Sequence, residues 1–323
     1  VNDDSQADST VENPVLQRGT WQRNLATLWI GELIAIAGFS VTLPFMPYYV
    51  QELGITQVDQ VALWSGLVTA AQAVTMAIVA PIWGSLADRY GRKIMVVRAM
   101  FGGAVVISAM GFVGNVYQLV ILRAIQGTLT GTVPAATTLV ASNTPAKRRG
   151  YALGLLQMAI YLGSSVGPFL GGLIADSLGM RAAFWVTGGL LFTAGVVVSL
   201  LVHEEFTPVV KPTTSSDKEE AKPRLWDGLL LVLGTQALLV VFAIRVLMRT
   251  AFRIVGPVMP LFVQELAGPD AKVASLTGTI TGLSSASSAA SAILFGRLSD
   301  KIGTRRILLV CGGAVGILYG LQG

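Results

Sequence analysis

The sequence predicts an all-α, polytopic membrane protein, and three observations lead to this fold class. The 323-residue chain is 53% hydrophobic, only 13% charged, and has a mean hydropathy of +0.65, whereas soluble domains carry about 25% charged residues. Apolar stretches long enough to cross a bilayer recur along the whole chain, and basic residues gather in alternate connections between them. This composition excludes a disordered chain and argues against a soluble enzyme.

The few reactive side chains narrow the chemistry further. The chain has one Cys and one His, which excludes an internal disulfide framework and a Cys/His zinc site. It also has no phosphate-binding loop of the form G-x-x-x-x-G-K-[ST], so ATP is not expected to drive it directly. We therefore expect no enzymatic activity, no metal and no cofactor.

The apolar stretches divide the chain into membrane spans. A bilayer-crossing helix needs about 20 mostly apolar residues. The stretches that meet this length are 24–50, 61–83, 94–113, 116–140, 150–174, 182–202, 228–262, 276–296 and 306–323.

Lys and Arg side chains predict the orientation of these spans. Most of the 23 fall in one set of connections, including Arg89, Arg92, Lys93, Arg98 and the run 147–149, whereas the alternate connections contribute Arg181 and Lys272. Since basic loops stay in the cytoplasm, we expect a cytoplasmic N-terminus and a location in the cell (plasma or inner) membrane. The net charge of +5 is then explained by the basic residues that orient the spans in the membrane. The expected partner is therefore the lipid bilayer and not nucleic acid.

The polar stretches divide the chain into four segments. We predict a cytoplasmic tail over 1–23, a six-helix transmembrane bundle over 24–203, a cytoplasmic linker over 204–224 and an incomplete second bundle over 225–323. The linker combines proline, serine and charges of both signs, a composition typical of flexible connections.

The second bundle repeats the first. The run Leu43–Leu53 (LPFMPYYVQEL) returns as Gly256–Leu266 (GPVMPLFVQEL), and Gly84–Gly91 (GSLADRYG) returns as Gly296–Gly303 (GRLSDKIG). Both pairs keep nearly the same offset, 213 and 212 residues, which indicates duplication in parallel about an axis along the membrane normal. By this offset Gly323 corresponds to Gly111, so we expect a fragment of a twelve-helix protein that lacks its last three helices.

Three motifs carry a resemblance to a known family. They are the connection Gly84–Lys93 (GSLADRYGRK), the intramembrane Arg123–Gly127 (RAIQG), and the glycine-rich Gly163–Gly172 (GSSVGPFLGG). With them the chain resembles the major facilitator superfamily and, within it, the 12-helix drug:proton antiporters. The resemblance implies a major facilitator fold with a complete N-terminal six-helix bundle and about three helices of the C-terminal bundle. It also implies export of small amphipathic compounds in exchange for protons, by alternating access.

The resemblance assigns two groups of site residues. The implied gating loop consists of Gly84, Asp88, Arg89, Gly91, Arg92 and Lys93, with Asp300 and Gly303 in the second copy. The implied antiporter motif consists of Gly163, Gly167, Pro168, Gly171 and Gly172. From the residues alone, the charged turn also fits a purely topogenic role. The glycines, with the small residues of 277–291 as their partner surface, fit either sliding contact between the bundles or ordinary tight packing.

One carboxylate, Glu32, lies deep in a predicted span. An intramembrane charge is expensive unless it faces an interior cavity or a partner. The repeat offset pairs Glu32 with Arg245. We consider two hypotheses: Glu32 and Arg123 couple transport to protons, or Glu32 and Arg245 form a static pair.

Other polar side chains within spans are candidates for a substrate cavity. This set contains Arg245, Arg249, Arg253, Gln126, Gln157 and Gln72. The three span-7 arginines also suit a transporter of anionic metabolites, which remains an alternative, and a non-transporting receptor or scaffold is a second. Tyr48 and Tyr49, near a span end, are expected to be interfacial anchors. The expected partners are a small-molecule substrate and protons, and the expected state is a monomer.

Overall fold

A computed structural model describes residues 20–204, 234–268, 272–302, 310–314 and 316. In these ranges the regular structure is α-helical, apart from one 3₁₀ turn at Ala146–Arg148, which confirms the predicted fold class. The helices are α1 (Thr20–Thr42), α2 (Met46–Glu52), α3 (Val58–Tyr90), α4 (Arg92–Met110), α5 (Val116–Leu129), α6 (Thr132–Asn143), α7 (Arg149–Leu178), α8 (Met180–Leu201), α9 (Gln236–Ala267) and α10 (Val273–Ile302).

Six stretches of the described chain are long and apolar enough to cross a membrane, and each overlaps one of the first six predicted spans. The apolar side chains on the outside of these helices support the same conclusion. Val105 and Leu200 are each 69% exposed, as suits helices that face lipid. The chain is therefore a multi-pass membrane protein.

Two spans that we predicted as continuous are broken. The first is interrupted over 43–45, between α1 and α2, because Pro44 has no backbone N–H and disfavours helical geometry at Leu43. The span over 116–140 is interrupted at Thr130 and Gly131, where Gly131 adopts φ +131°. The ring of Pro134 would clash with the carbonyl four residues earlier, at Thr130.

The charged connection after the second span is shorter than the motif suggested. We expected a turn extending from Gly84, but α3 remains helical through Tyr90 and α4 begins at Arg92. The turn is Gly91 alone, at φ +99°, and its N–H donates to the carbonyl of Ala87 at 3.0 Å. A side chain is strongly disfavoured at this φ, so Gly91 fits a glycine-only position, whereas Gly84 is an ordinary helical residue.

We call one end of the six-helix bundle the basic end. Here the Asn24 side chain donates to the carbonyl of His203 at 2.6 Å and accepts from the His203 N–H at 3.1 Å. The Glu204 carboxylate accepts the backbone N–H groups of Arg92 and Lys93, at 3.0 and 2.7 Å. The last residue of the predicted bundle is thus bound to the N-terminal part of α1, and the first residue of the predicted linker is bound to the first turn of α4.

We call the opposite end the distal end. There the Tyr49 hydroxyl donates to the carbonyl of Met110 at 2.7 Å, and Arg181 forms an ion pair with Glu52 at 3.7 Å. Tyr49 is 1% exposed. It is therefore a core residue of the bundle and not the interfacial anchor that we predicted.

Candidate functional site

Glu32 lies in the middle of α1, about 18 Å along the helix from Thr20. Its side chain is 1% exposed, and neither carboxylate oxygen has a hydrogen-bond partner among the described residues. The Thr132 hydroxyl of α6 lies close to the carboxyl without meeting hydrogen-bond geometry. A buried acid therefore lies in the centre of the bundle without a hydrogen-bond partner among the described residues. The side chain of Arg245, which the static-pair hypothesis places beside it, is outside those residues, so that hypothesis stays a prediction.

Arg123 of α5 is a buried cation whose described contacts are with uncharged side chains. Its Nη1 donates to the side-chain oxygens of Gln72 at 3.0 Å and Gln126 at 3.1 Å. Its Nη2 lies 3.8 Å from the sulfur of Met46, and its Nε has no partner in the part of the chain that the structure describes. The network joins α2, α3 and α5 and includes no described carboxylate.

Gly127 explains why Gln72 reaches Arg123. A Cβ at Gly127 would collide with the Thr75 hydroxyl and the Gln72 carbonyl, so only glycine lets α5 approach α3 this closely. The Thr75 hydroxyl donates to the carbonyl of Ala124 at 2.8 Å across the same contact. The arginine and the glycine of the Arg123–Gly127 motif thus serve one helix–helix contact.

The structure does not bring Glu32 and Arg123 into contact. Arg123 lies beside Met46, whereas Glu32 lies beside Thr132. Arg123 belongs to α5 and Thr132 to α6, on opposite sides of the break at Thr130 and Gly131. The two candidates for proton coupling therefore have different neighbours in the bundle.

The glycines of α7 are divided between two helices. A Cβ at Gly163 would lie 2.9 Å from the backbone of α1 at Leu33, and Gly167 and Gly171 also contact α1 closely. Gly172 faces α10 instead, where a Cβ would lie 2.6 Å from the carbonyl of Ala274. The motif therefore packs mainly inside the six-helix bundle and only partly across to the second copy.

We call the contact between the six-helix bundle and α9–α10 the seam. Its described hydrogen bonds connect the distal halves of the helices. The Ser165 hydroxyl donates to the carbonyl of Gly282 at 2.8 Å, and the Tyr48 hydroxyl donates to the carbonyl of Pro260 at 2.5 Å. Tyr48 is 8% exposed, so it belongs to the seam and is not the predicted anchor. The seam brings together α7 and the small residues of α10, as their composition suggested.

Other predicted site residues do not join these networks. Gln157, Asp88 and Arg89 are exposed, and none forms an ion pair or side-chain hydrogen bond with the described residues. Asp300 lies in α10, and Arg245, Arg249 and Arg253 lie in α9, but their side chains and all of Gly303 are outside the described residues. Within the described part, no three His, Cys, Asp or Glu side chains come together.

Sequence reasoning missed Arg98 and two glutamines. We counted Arg98 among the loop cations, but it lies inside α4 with its guanidinium 3.3 Å from the ring centre of Trp83. The Trp83 indole N–H donates to the carbonyl of Thr128 at 2.6 Å. Gln51 and Gln264 bind each other across the seam. The sequence repeat could have indicated this pair, since the two glutamines occupy the same position in its two copies.

A bundle of membrane-spanning helices with charged side chains buried inside it is typical of a membrane transporter. The sequence matches the family model of the Major Facilitator Superfamily over residues 28–321, and the chain belongs to this family. The predicted family and the expectation of a transporter rather than an enzyme are thereby confirmed.

Individual relatives refine this assignment. The chain is 36% identical over 293 residues to "Multidrug resistance protein MdtG" of Proteus mirabilis (strain HI4320), covering 91% of this chain and 71% of the relative. It is 38% identical over 289 residues to the protein of the same name in Rahnella sp. (strain Y9602), covering 90% and 68%.

A solved structure confirms the fold. It is the inward-facing, unoccupied conformation of a bacterial homologue of the human lysosomal transporter Spinster, with a TM-score of 0.67 at 16% identity. The match covers 89% of this chain and 64% of that chain. The chain thus spans less than two thirds of this structural relative.

Proposed function

We propose that this protein is a secondary active transporter of the multidrug type, which expels small amphipathic compounds in exchange for protons by alternating access. The names of the curated relatives support efflux of drugs. The observation that carries proton coupling is Glu32, a buried carboxyl in mid-membrane without a hydrogen-bond partner among the described residues. Ionisable side chains that are buried within a membrane commonly form proton relays.

We propose that the basic end faces the cytoplasm, in the inner membrane. Arg89, Lys147 and Arg148 are exposed there, which agrees with the charge rule for short loops. Because Tyr48, Gln51 and Asp176 bind α9 or α10 at the distal end and so close it, we assign this conformation to the cytoplasm-facing state. The two bundles that enclose the path belong to one chain, so we propose that it works as a monomer.

We propose separate roles for the remaining charged groups. Arg123, held by Gln72 and Gln126, is the fixed polar group of the substrate cavity. It lies beside Met46 and forms no described contact with Glu32, which argues against direct proton relay. Asp88 and Arg92 lie on either side of Gly91, where α3 and α4 meet. A change in the packing of these helices changes the spacing of the two charges, which supports the gating role implied by the family motif.

A transporter of anionic metabolites is a second candidate, and one observation favours it. Arg123 is buried at 3% exposure, and no described carboxylate neutralises it. A substrate carboxylate or phosphate would supply the missing charge. Competition assays separate the candidates, because lipophilic cations compete with drug transport and organic anions compete with anion transport.

The test of proton coupling uses everted membrane vesicles that contain the protein expressed from its complete reading frame. With tetraphenylphosphonium as the probe, an imposed pH gradient should drive uptake by the wild type. In Glu32→Gln this uptake should fall to the level of empty vesicles, while exchange of labelled for unlabelled probe continues without a gradient. Glu265→Gln, which alters an exposed carboxylate of α9, should behave like the wild type. Full gradient dependence in Glu32→Gln would contradict the proposal.

A further inference from the structure

Two glutamines from the two copies of the repeat bind each other at the distal end. The Gln51 Nε2 donates to the Gln264 Oε1 at 3.0 Å, and the Gln264 Nε2 donates to the Gln51 Oε1 at 3.2 Å. Both side chains are half-buried. The two positions differ by 213 residues, which is the offset of the sequence repeat.

This reciprocal pair marks the symmetry axis of the repeat. In a two-fold contact, a residue that binds its own symmetry equivalent lies on or next to the axis. Gln51 follows the end of the first span and Gln264 occupies the equivalent place at the end of α9. The pair therefore joins the two copies at the point where their distal ends meet.

Two further contacts close the seam around this pair. The buried Tyr48 hydroxyl donates to the carbonyl of Pro260 and lies 2.9 Å from the Thr277 hydroxyl. The Asp176 carboxylate accepts the backbone N–H of Ser275 at 2.7 Å, at the start of α10. Each contact joins the six-helix bundle to α9 or α10, and all of them lie at the distal end.

The chemistry of the pair suits a contact that is made and broken repeatedly. Two primary amides offer each other one donor and one acceptor, and water replaces both bonds when they separate, so the net gain from each bond is small. Separation exposes no charge, unlike the opening of a buried ion pair. An amide pair thus adds directional specificity to closure without making it irreversible.

We propose that Gln51 and Gln264 form a symmetric amide latch, which holds the distal end shut in this state and separates in every transport cycle. The latch rests on the proposed alternating-access function, because it sets the balance between closed and open distal ends. Loss of either amide leaves the other without its partner and shifts this balance toward the open distal end.

A pair of cysteines tests whether the latch must open. In a Cys311→Ser background, Gln51→Cys with Gln264→Cys is cross-linked by a short bifunctional thiol reagent that contains a reducible disulfide. Efflux should stop on cross-linking and return on reduction. The matched control is Glu52→Cys with Arg181→Cys, since these residues also meet at the distal end, at 3.7 Å, but within the six-helix bundle. Cross-linking the control should leave efflux unchanged, and continued efflux by the cross-linked latch pair would overturn the proposal.

A labelling experiment tests the latch without any transport assay. Ala274 is 1% exposed in the seam, so an Ala274→Cys thiol reacts with a membrane-impermeant maleimide on the distal side only when the seam opens. Gln51→Leu should raise the labelling rate roughly tenfold, which corresponds to about 1.4 kcal/mol for the loss of both bonds together. Gln57→Leu, at an exposed glutamine of the same end, should leave the rate unchanged.

The two experiments separate the latch from the proposed function. If the wild type moves no substrate while Gln51→Leu still accelerates labelling, the latch stands and the proposed function fails. If Gln51→Leu melts in detergent at the wild-type temperature but is labelled at the wild-type rate, the latch is wrong whether or not the protein transports.

Discussion

The two faces of α7 use the same small residues for contacts of different kinds. Toward α1, Gly163, Gly167 and Gly171 lie against the backbone within one bundle. Toward α10, Gly172 and the carbonyl of Pro168 form a similarly close contact, but it crosses from one copy of the repeat to the other. Close packing by itself therefore does not distinguish a permanent contact from one that opens. What differs is whether the packed helices belong to the same bundle.

The α1 face should show the largest effect on stability. In Gly167→Ala, the new Cβ would lie 2.6 Å from the Ser40 Cβ and would also meet the carbonyl of Ala37. Backbone cannot move aside easily, so we expect a loss of about 2–3 kcal/mol, measured as a lower apparent melting temperature in detergent. Gly154→Ala, which meets no atom within 4 Å, is the control and should be neutral or slightly stabilising.

The α10 face should lose less stability and more function. In Gly172→Ala, the Cβ would lie 2.6 Å from the carbonyl of Ala274, but the seam can separate and relieve the clash. We expect a loss of about 1 kcal/mol or less, with strongly reduced drug efflux and faster labelling in the seam. A melting temperature as low as that of Gly167→Ala would show that the two faces are equally fixed.

Removing one tyrosine hydroxyl from the seam and one from the bundle interior compares the two regions. Tyr48→Phe removes the bonds to Pro260 and Thr277 across the seam, whereas Tyr49→Phe removes the bond to Met110 inside the bundle. Each change should cost about 1 kcal/mol. Only Tyr48→Phe should also accelerate maleimide labelling at Ala274→Cys, and equal labelling in both variants would contradict this assignment.

The basic end should give the smallest effect. Glu204→Ala removes the carboxylate that accepts the N–H groups of Arg92 and Lys93 at the start of α4, for an expected loss of about 0.5–1 kcal/mol in thermal unfolding. Because this contact lies within the six-helix bundle, distal labelling should stay at the wild-type rate. Glu52→Ala, which removes an exposed ion pair, should cost less still.

The sequence predicted the spans well and their breaks poorly. Spans follow from local hydropathy, which any window of about 20 residues reports. The break at Gly131 depends on a positive φ that glycine permits but does not require. The turn at Gly91 was expected to be longer, because the polar residues before it suggested a loop. The same residues are also compatible with the last turn of a helix, which is where the structure places them.

The partners of the buried polar groups were predicted less well. Gln72, Gln126 and Gln157 were predicted with equal weight as candidates for the substrate cavity, yet Gln72 and Gln126 bind Arg123 whereas Gln157 is exposed. Which of them meet depends on how each helix is rotated about its axis. Gly127 sets this for α5 by its contact with α3, and a single sequence does not reveal which helices touch.

The amino-acid sequence by itself determined that the chain crosses a membrane repeatedly as helices, that it contains a parallel duplication, and which family it belongs to. These properties follow from hydropathy, charge placement and repeated residues along the chain. Only the tertiary structure showed that Glu32 has no hydrogen-bond partner among the described residues. It also showed that Arg123 is bound by two neutral amide side chains and that Gln51 binds Gln264. Such contacts depend on distances of about 3 Å between helices far apart in sequence, and only the packed bundle sets them.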